Sequence, residues 1–143
     1  MRLMTWLAAT LLLALALPAS AGSMRVGDLR VHYNAMPSTE LEPEVARRHG
    51  LTRSANRALL SVSVMRGELG TAVGVPARVQ AVATNLVGQR LDVRMREVRD
   101  GDAIYYLGNA SISGKDVLTF DLTVIVEGEA PITATFKQEF FPQ

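Results

Sequence analysis

The chain contains no cysteine. That absence removes thiolate nucleophiles, cysteine metal sites and disulfides, and leaves stability to packing and backbone pairing. It also removes a thioether-linked lipid anchor. Histidine is almost as scarce. His32 and His49 stand 17 positions apart, with no HExxH or HxH arrangement, so no metal or cofactor site is spelled out. No Gly-x-Ser-x-Gly elbow marks a serine as activated. Asp100-Gly101-Asp102 lacks the twelve-residue frame of a calcium loop. Aromatic residues are 6% of the chain, too few for the two girdles of an outer-membrane barrel. An excess of one charge is missing too: 15 basic residues face 14 acidic ones, which excludes the basic footprint of a nucleic-acid binder. Lysine occurs only at 115 and 137, so most of the positive charge is arginine.

What the chain does have begins with an address. Arg2 precedes an uncharged run over residues 3–17, Pro18 breaks it, and Ala19-Ser20-Ala21 offers small residues to a signal peptidase. The run is about 15 residues, short of the roughly 20 that span a bilayer. Residues 1–21 are therefore expected to be a cleavable secretory signal peptide, leaving one domain over residues 22–143 with no membrane span. The expected location is the periplasm.

Beyond residue 22 the dominant period is two, which sends alternate side chains to opposite faces of a strand. Seven strands are expected, over residues 29–34, 60–64, 75–84, 90–96, 103–112, 118–126 and 132–140. Asp100-Gly101-Asp102, Ser113-Gly114-Lys115-Asp116 and Glu127-Gly128-Glu129-Ala130-Pro131 supply turns between them. One segment departs from the pattern. Residues 42–50 read as a short helix, with Pro43 at its first position, acids before bases along the dipole, and Gly50 as the stop. The expected fold is all-β: an antiparallel β-sandwich of about seven strands, with one short helix between the first two strands capping one end.

Particular segments carry a family likeness. They are His32-Tyr33-Asn34-Ala35, Pro43-Glu44-Val45-Ala46, and Thr52-Arg53-Ser54 leading into Asn56-Arg57-Ala58-Leu59-Leu60. Further along come Ala83-Thr84-Asn85-Leu86, Arg96-Glu97-Val98-Arg99 with Gly101-Asp102-Ala103-Ile104-Tyr105-Tyr106, and Leu118-Thr119-Phe120-Asp121. With these the chain resembles, over nearly all of residues 22–143, a family of uncharacterised exported domains of Gram-negative bacteria, a domain of unknown function. The resemblance implies a periplasmic location and an immunoglobulin-like sandwich, and it transfers no role to any residue.

Two surfaces stand out as candidates for binding. Arg90, Asp92, Arg94 and Arg96 would share one strand face, spaced about 6–7 Å apart. Three guanidiniums in a row could grip a phosphate or carboxylate polymer, unless they are a solvated face paired with acids such as Glu97 or Asp121. The second surface is polar: His32, Asn34, Thr39, Arg53, Asn56 and Arg57 flank the first strand, the helix and the following strand. Such residues bind ligands on many scaffolds, and equally satisfy turns and caps. The function expected is a non-catalytic binding or accessory module of the cell envelope, meeting an envelope protein or an anionic envelope polymer. The alternatives are a small-ligand binder or enzyme centred on His32, and a strand-exchange partner using an open sheet edge.

Overall fold

The period-two pattern folds into ten strands rather than about seven, arranged as two facing antiparallel sheets. The computed structural model describes residues 21–141 apart from residue 69, so the expected signal peptide lies, save for Ala21, outside the described residues. The strands are β1 (Ala21–Val26), β2 (Leu29–Pro37), β3 (Arg57–Arg66), β4 (Val73–Gly74), β5 (Arg78–Thr84), β6 (Arg90–Val93), β7 (Arg96–Asp100), β8 (Ala103–Ser111), β9 (Asp116–Ile125) and β10 (Ile132–Phe140). The first sheet runs β1-β2-β3-β8-β7, with β4 also on β3; the second runs β10-β9-β5-β6. The expected antiparallel β-sandwich is thus the fold observed.

Three local effects raise the strand count. β1 precedes the first expected strand and pairs with β2 through a two-residue loop, Gly27-Asp28. Gly27 has φ +60, and no non-glycine residue among those described has positive φ, which is the pattern of a type II′ hairpin. Pro76, which has no N–H for a ladder, lies between β4 and β5, so the strand expected over 75–84 begins only at Arg78, while β4, just before that run, pairs in the first sheet. The run over 90–96 is likewise split, because the chain leaves the second sheet after Val93 and joins the first at Arg96. The helix, α1 (Pro43–Arg48), therefore follows the second strand, not the first. Its Pro43, Glu44, Arg47 and Arg48 sit as the dipole requires, and Glu44 pairs with Arg47.

The inner faces form the core. Ala58, Leu60, Val62 and Val64 of β3 meet Leu118, Phe120, Leu122 and Val124 of β9, all almost fully buried. Aromatic contacts join the sheets: Phe136 of β10 stacks on Phe120 with ring centroids 5.1 Å apart, and Tyr33 of β2 lies 4.8 Å from Phe136. One end is clamped by Arg66, which donates to both carboxylate oxygens of Asp28 at 2.9 and 2.8 Å and lies 3.6 Å from Glu129. The hydrogen bond to Asp28 raises the guanidinium's pKa above its ordinary value. Where the chain passes between sheets, the buried Tyr106 hydroxyl accepts the Ala77 N–H at 2.7 Å. Tyr106→Phe strands that N–H, and is expected to cost about 1–2 kcal/mol in urea denaturation. An unchanged midpoint would show that solvent replaces the bond.

Candidate functional site

Inner-face alternation accounts for Leu60, Val62 and Val64, but not for Leu59. Leu59 points from β3 to the opposite side of the sheet, stands apart from the main core, and is still only 3% exposed. Facing it across an open cavity are Val45 of α1 and, on either side of the helix, Leu41, His49 and Leu51. The helix does not cap an end of the sandwich as expected; it lies over the outer face of the first sheet. Cross-strand register lays out the floor beneath it in three rows. Met36, Leu59 and Asn109 form one row, Asn34, Ser61, Leu107 and Arg96 the next, and His32, Ser63, Tyr105 and Val98 the third. An outer face carrying this many apolar side chains needs a cover, because a strand apolar on both sides is stable only when buried on both.

The cover is tied down by polar contacts. Ser38, 1% exposed, accepts the Ser54 N–H and donates to the Ser54 carbonyl, each at 2.9 Å. Arg53 donates to the Thr39 carbonyl at 2.8 Å. Arg96 donates to the carbonyl of His49, the residue that ends α1. Leu51 N–H closes on the Ala46 carbonyl at 2.8 Å, turning the chain back across the sheet. Ala46 is the buried contact of α1, at 4% exposure.

The cover is incomplete. Between α1 and the sheet remains an open groove of about 260 Å³. Its roof is Leu41, Val45, His49 and Leu51; its floor includes Met36, Leu59, Leu107 and Val98, with Tyr105 at 38% exposure. Asn34, Ser61 and Asp100 add polar groups. Ser61, His49 and Asp100 are the side-chain types of a hydrolytic triad, but no hydrogen bond joins any two of them, and a triad is defined by those two bonds.

The expected site residues are distributed as follows. Asn34 lines the groove; His32 shares its sheet face, but is exposed and not part of the lining. Arg53 serves the turn before α1, and Arg57 is exposed at the start of β3. The arginine stripe does not exist as one face. Arg90 and Asp92 lie on β6 in the second sheet, Arg94 lies in the crossover, and Arg96 begins β7 in the first sheet. The change of sheet turns the strand away after Val93, so period-two spacing no longer applies. Arg94 and Arg96 nevertheless meet around a hollow beside the groove, formed with Gly50, Leu51 and Asn109. Sequence reasoning missed His49, Tyr105, Leu59 and Asn109 as members of one site. Two signals pointed to it: the doublet Leu59-Leu60 and the unbroken apolar run Ile104-Tyr105-Tyr106-Leu107, each apolar on both faces.

Comparison with known proteins agrees with this architecture. The chain aligns over 87% of its length, and 97% of the other chain, with the crystal structure of a DUF4426 family protein from Pseudomonas aeruginosa PAO1, at 35% identity and TM-score 0.73. Two structures of FetP from uropathogenic E. coli, one recombinantly expressed in the periplasm and one a copper-bound variant, share the fold at 10% identity. Their TM-scores are 0.61 and 0.59, each over 87% of this chain and 95% and 92% of theirs. No curated protein matches the chain. The family model for the domain of unknown function DUF4426 matches residues 23–143, and with the Pseudomonas structure it establishes that the chain belongs to the DUF4426 family.

Proposed function

We propose that the protein is a non-catalytic binding or accessory module of the bacterial cell envelope, exported to the periplasm, and that it binds through the groove beneath α1. The observation that carries this reading is the groove itself. Apolar side chains from β2, β3, β7, β8 and α1 converge on a concavity that the helix leaves open, and ligand sites are typically such apolar clefts with a few convergent polar groups. Export is supported by the charged start, apolar run and small-residue cleavage site within residues 2–21. No helix among the described residues is long and apolar enough to cross a membrane.

The copper of the FetP variant is not transferred to this chain. Among the described residues no three of His, Cys, Asp and Glu gather as metal ligands. Strand exchange is disfavoured by the sheet edges, each of which carries charge: Arg25 on β1, Arg96 to Asp100 on β7, Lys137 and Glu139 on β10, Arg90 and Asp92 on β6. Charged edges resist addition of a further strand.

Ser61→Trp fills the groove from its floor without touching the main core. Titrated with the neutral dye Nile red, the wild-type protein is expected to enhance and blue-shift the emission. The variant is expected to bind at least about tenfold more weakly, equivalent to about 1.4 kcal/mol. Equal binding by a folded variant would remove the groove as the binding site.

A further inference from the structure

The arginine hollow adjoins the groove. The two concavities share Leu51 and Leu107, and the hollow adds about 220 Å³. Together they reach the size of small-ligand sites, roughly 300–1,000 Å³. Their chemistries differ. The groove is mainly apolar, whereas the hollow is lined by Arg94 and Arg96 and by no carboxylate. Arg94 is exposed and has no hydrogen bond or ion pair among the described residues. Arg96 donates one N–H to the His49 carbonyl, which fixes its guanidinium against the end of α1. A guanidinium has five N–H donors, so most of this one remains available. Asn109 completes the hollow, and its Oδ1 is buried with no hydrogen-bond partner. Such an orphaned acceptor is destabilising, and a donor that reaches it relieves the penalty.

From this juxtaposition we infer that the site takes a small amphipathic anion: an apolar tail in the groove, a carboxylate or phosphate head between Arg94 and Arg96, and a hydroxyl donating to Asn109 Oδ1. The inference rests on the groove being the binding site. Arginine forks match carboxylate and phosphate oxygens, and the adjoining apolar wall explains why a free inorganic anion would leave most of the site empty.

Three ten-carbon probes separate the contributions by calorimetry or dye displacement: decanol, decanoate and 3-hydroxydecanoate, all below their micelle-forming concentrations. Decanoate is expected to bind at least about tenfold more tightly than decanol, as hydrogen bonds to charged groups provide. 3-Hydroxydecanoate is expected to gain a further factor of about three to ten from the neutral bond to Asn109. Arg94→Gln combined with Arg96→Gln should erase the first difference, and Asn109→Leu only the second. Arg94→Gln alone alters an exposed side chain and keeps the test intact if the other variants melt. Equal affinity for all three probes overturns the anion site while the groove reading stands. Binding of none overturns both. A carboxylate preference that survives the arginine substitutions also overturns the anion site, because the charge would then be read elsewhere.

Discussion

Phe120→Ala is expected to lower the unfolding free energy by about 3–5 kcal/mol, the range for truncating a fully buried aromatic. Phe120 is 0% exposed, lies on the central strand β9 of the second sheet, and stacks on Phe136, which in turn meets Tyr33 from the opposite sheet. Removing the ring leaves a cavity where the two sheets are joined, and neither backbone can collapse into it without breaking its ladder. A typical domain has only about 5–15 kcal/mol to lose, so this one substitution removes a large share. Urea denaturation followed by far-UV circular dichroism should show a strongly lowered midpoint with little change in slope. A loss under about 1 kcal/mol would mean that the ring is not at the junction of the sheets.

Gly108→Val is the second large effect, and its cause is steric. Gly108 lies on β8 where the chain crosses from β6 to β7 directly above it. A Cβ at this position would stand 2.7 Å from the Arg94 carbonyl oxygen, the Met95 sulfur and the Val93 Cγ1. Met95 could move, but the Arg94 carbonyl is backbone. The crossover must therefore lift, at a cost of about 1–3 kcal/mol. Gly108 also lines the hollow with Arg94 and Arg96, so lifting the crossover moves both arginines. The variant should lose stability and its preference for anionic probes together. Tm and probe affinity, measured on one preparation, check both. Gly108→Ala is the milder form of the same test, and a stability equal to wild type would show that the crossover has room to spare.

Much of this architecture was legible in advance. Alternation at Leu118, Phe120, Leu122 and Val124 is a direct consequence of strand geometry, and these residues are the core. The loops after β7, β8 and β9 fall at the Asp-Gly-Asp, Ser-Gly-Lys and Glu-Gly-Glu sequences, because glycine supplies the backbone angles that tight turns need. The short helix, expected within residues 42–50 and observed at Pro43–Arg48, was legible from Pro43, the order of acids before bases, and Gly50. β1 was legible in principle, since Gly27-Asp28 between Val26 and Leu29 is a hairpin signal of the same kind.

The candidate site was much less legible, and for a different reason. Whether Arg94 and Arg96 share a face with Arg90 and Asp92 depends on the chain staying in one sheet. It does not stay: β6 belongs to the second sheet and β7 to the first. A change of sheet leaves no mark in the period, and the small residue that makes room for it, Gly108, lies on another strand. The groove was hidden in a similar way. Leu59 beside Leu60 shows that β3 is apolar on both sides, but not which distant segment covers the second side.

The amino-acid sequence by itself determined most of the strand segments, the alternation of apolar and polar faces along them and three of the turns, because these follow from local geometry and side-chain type. Only the tertiary structure decided what lies over the outer face of the first sheet. The position of α1 above Leu59, the meeting of Arg94 with Arg96, and the unpaired Asn109 Oδ1 beside them all depend on contacts between segments far apart in the chain. No local period encodes such contacts. The missing cysteine and the scarce histidine narrowed the chemistry from the start, and the folded chain then placed an apolar groove and two arginines side by side.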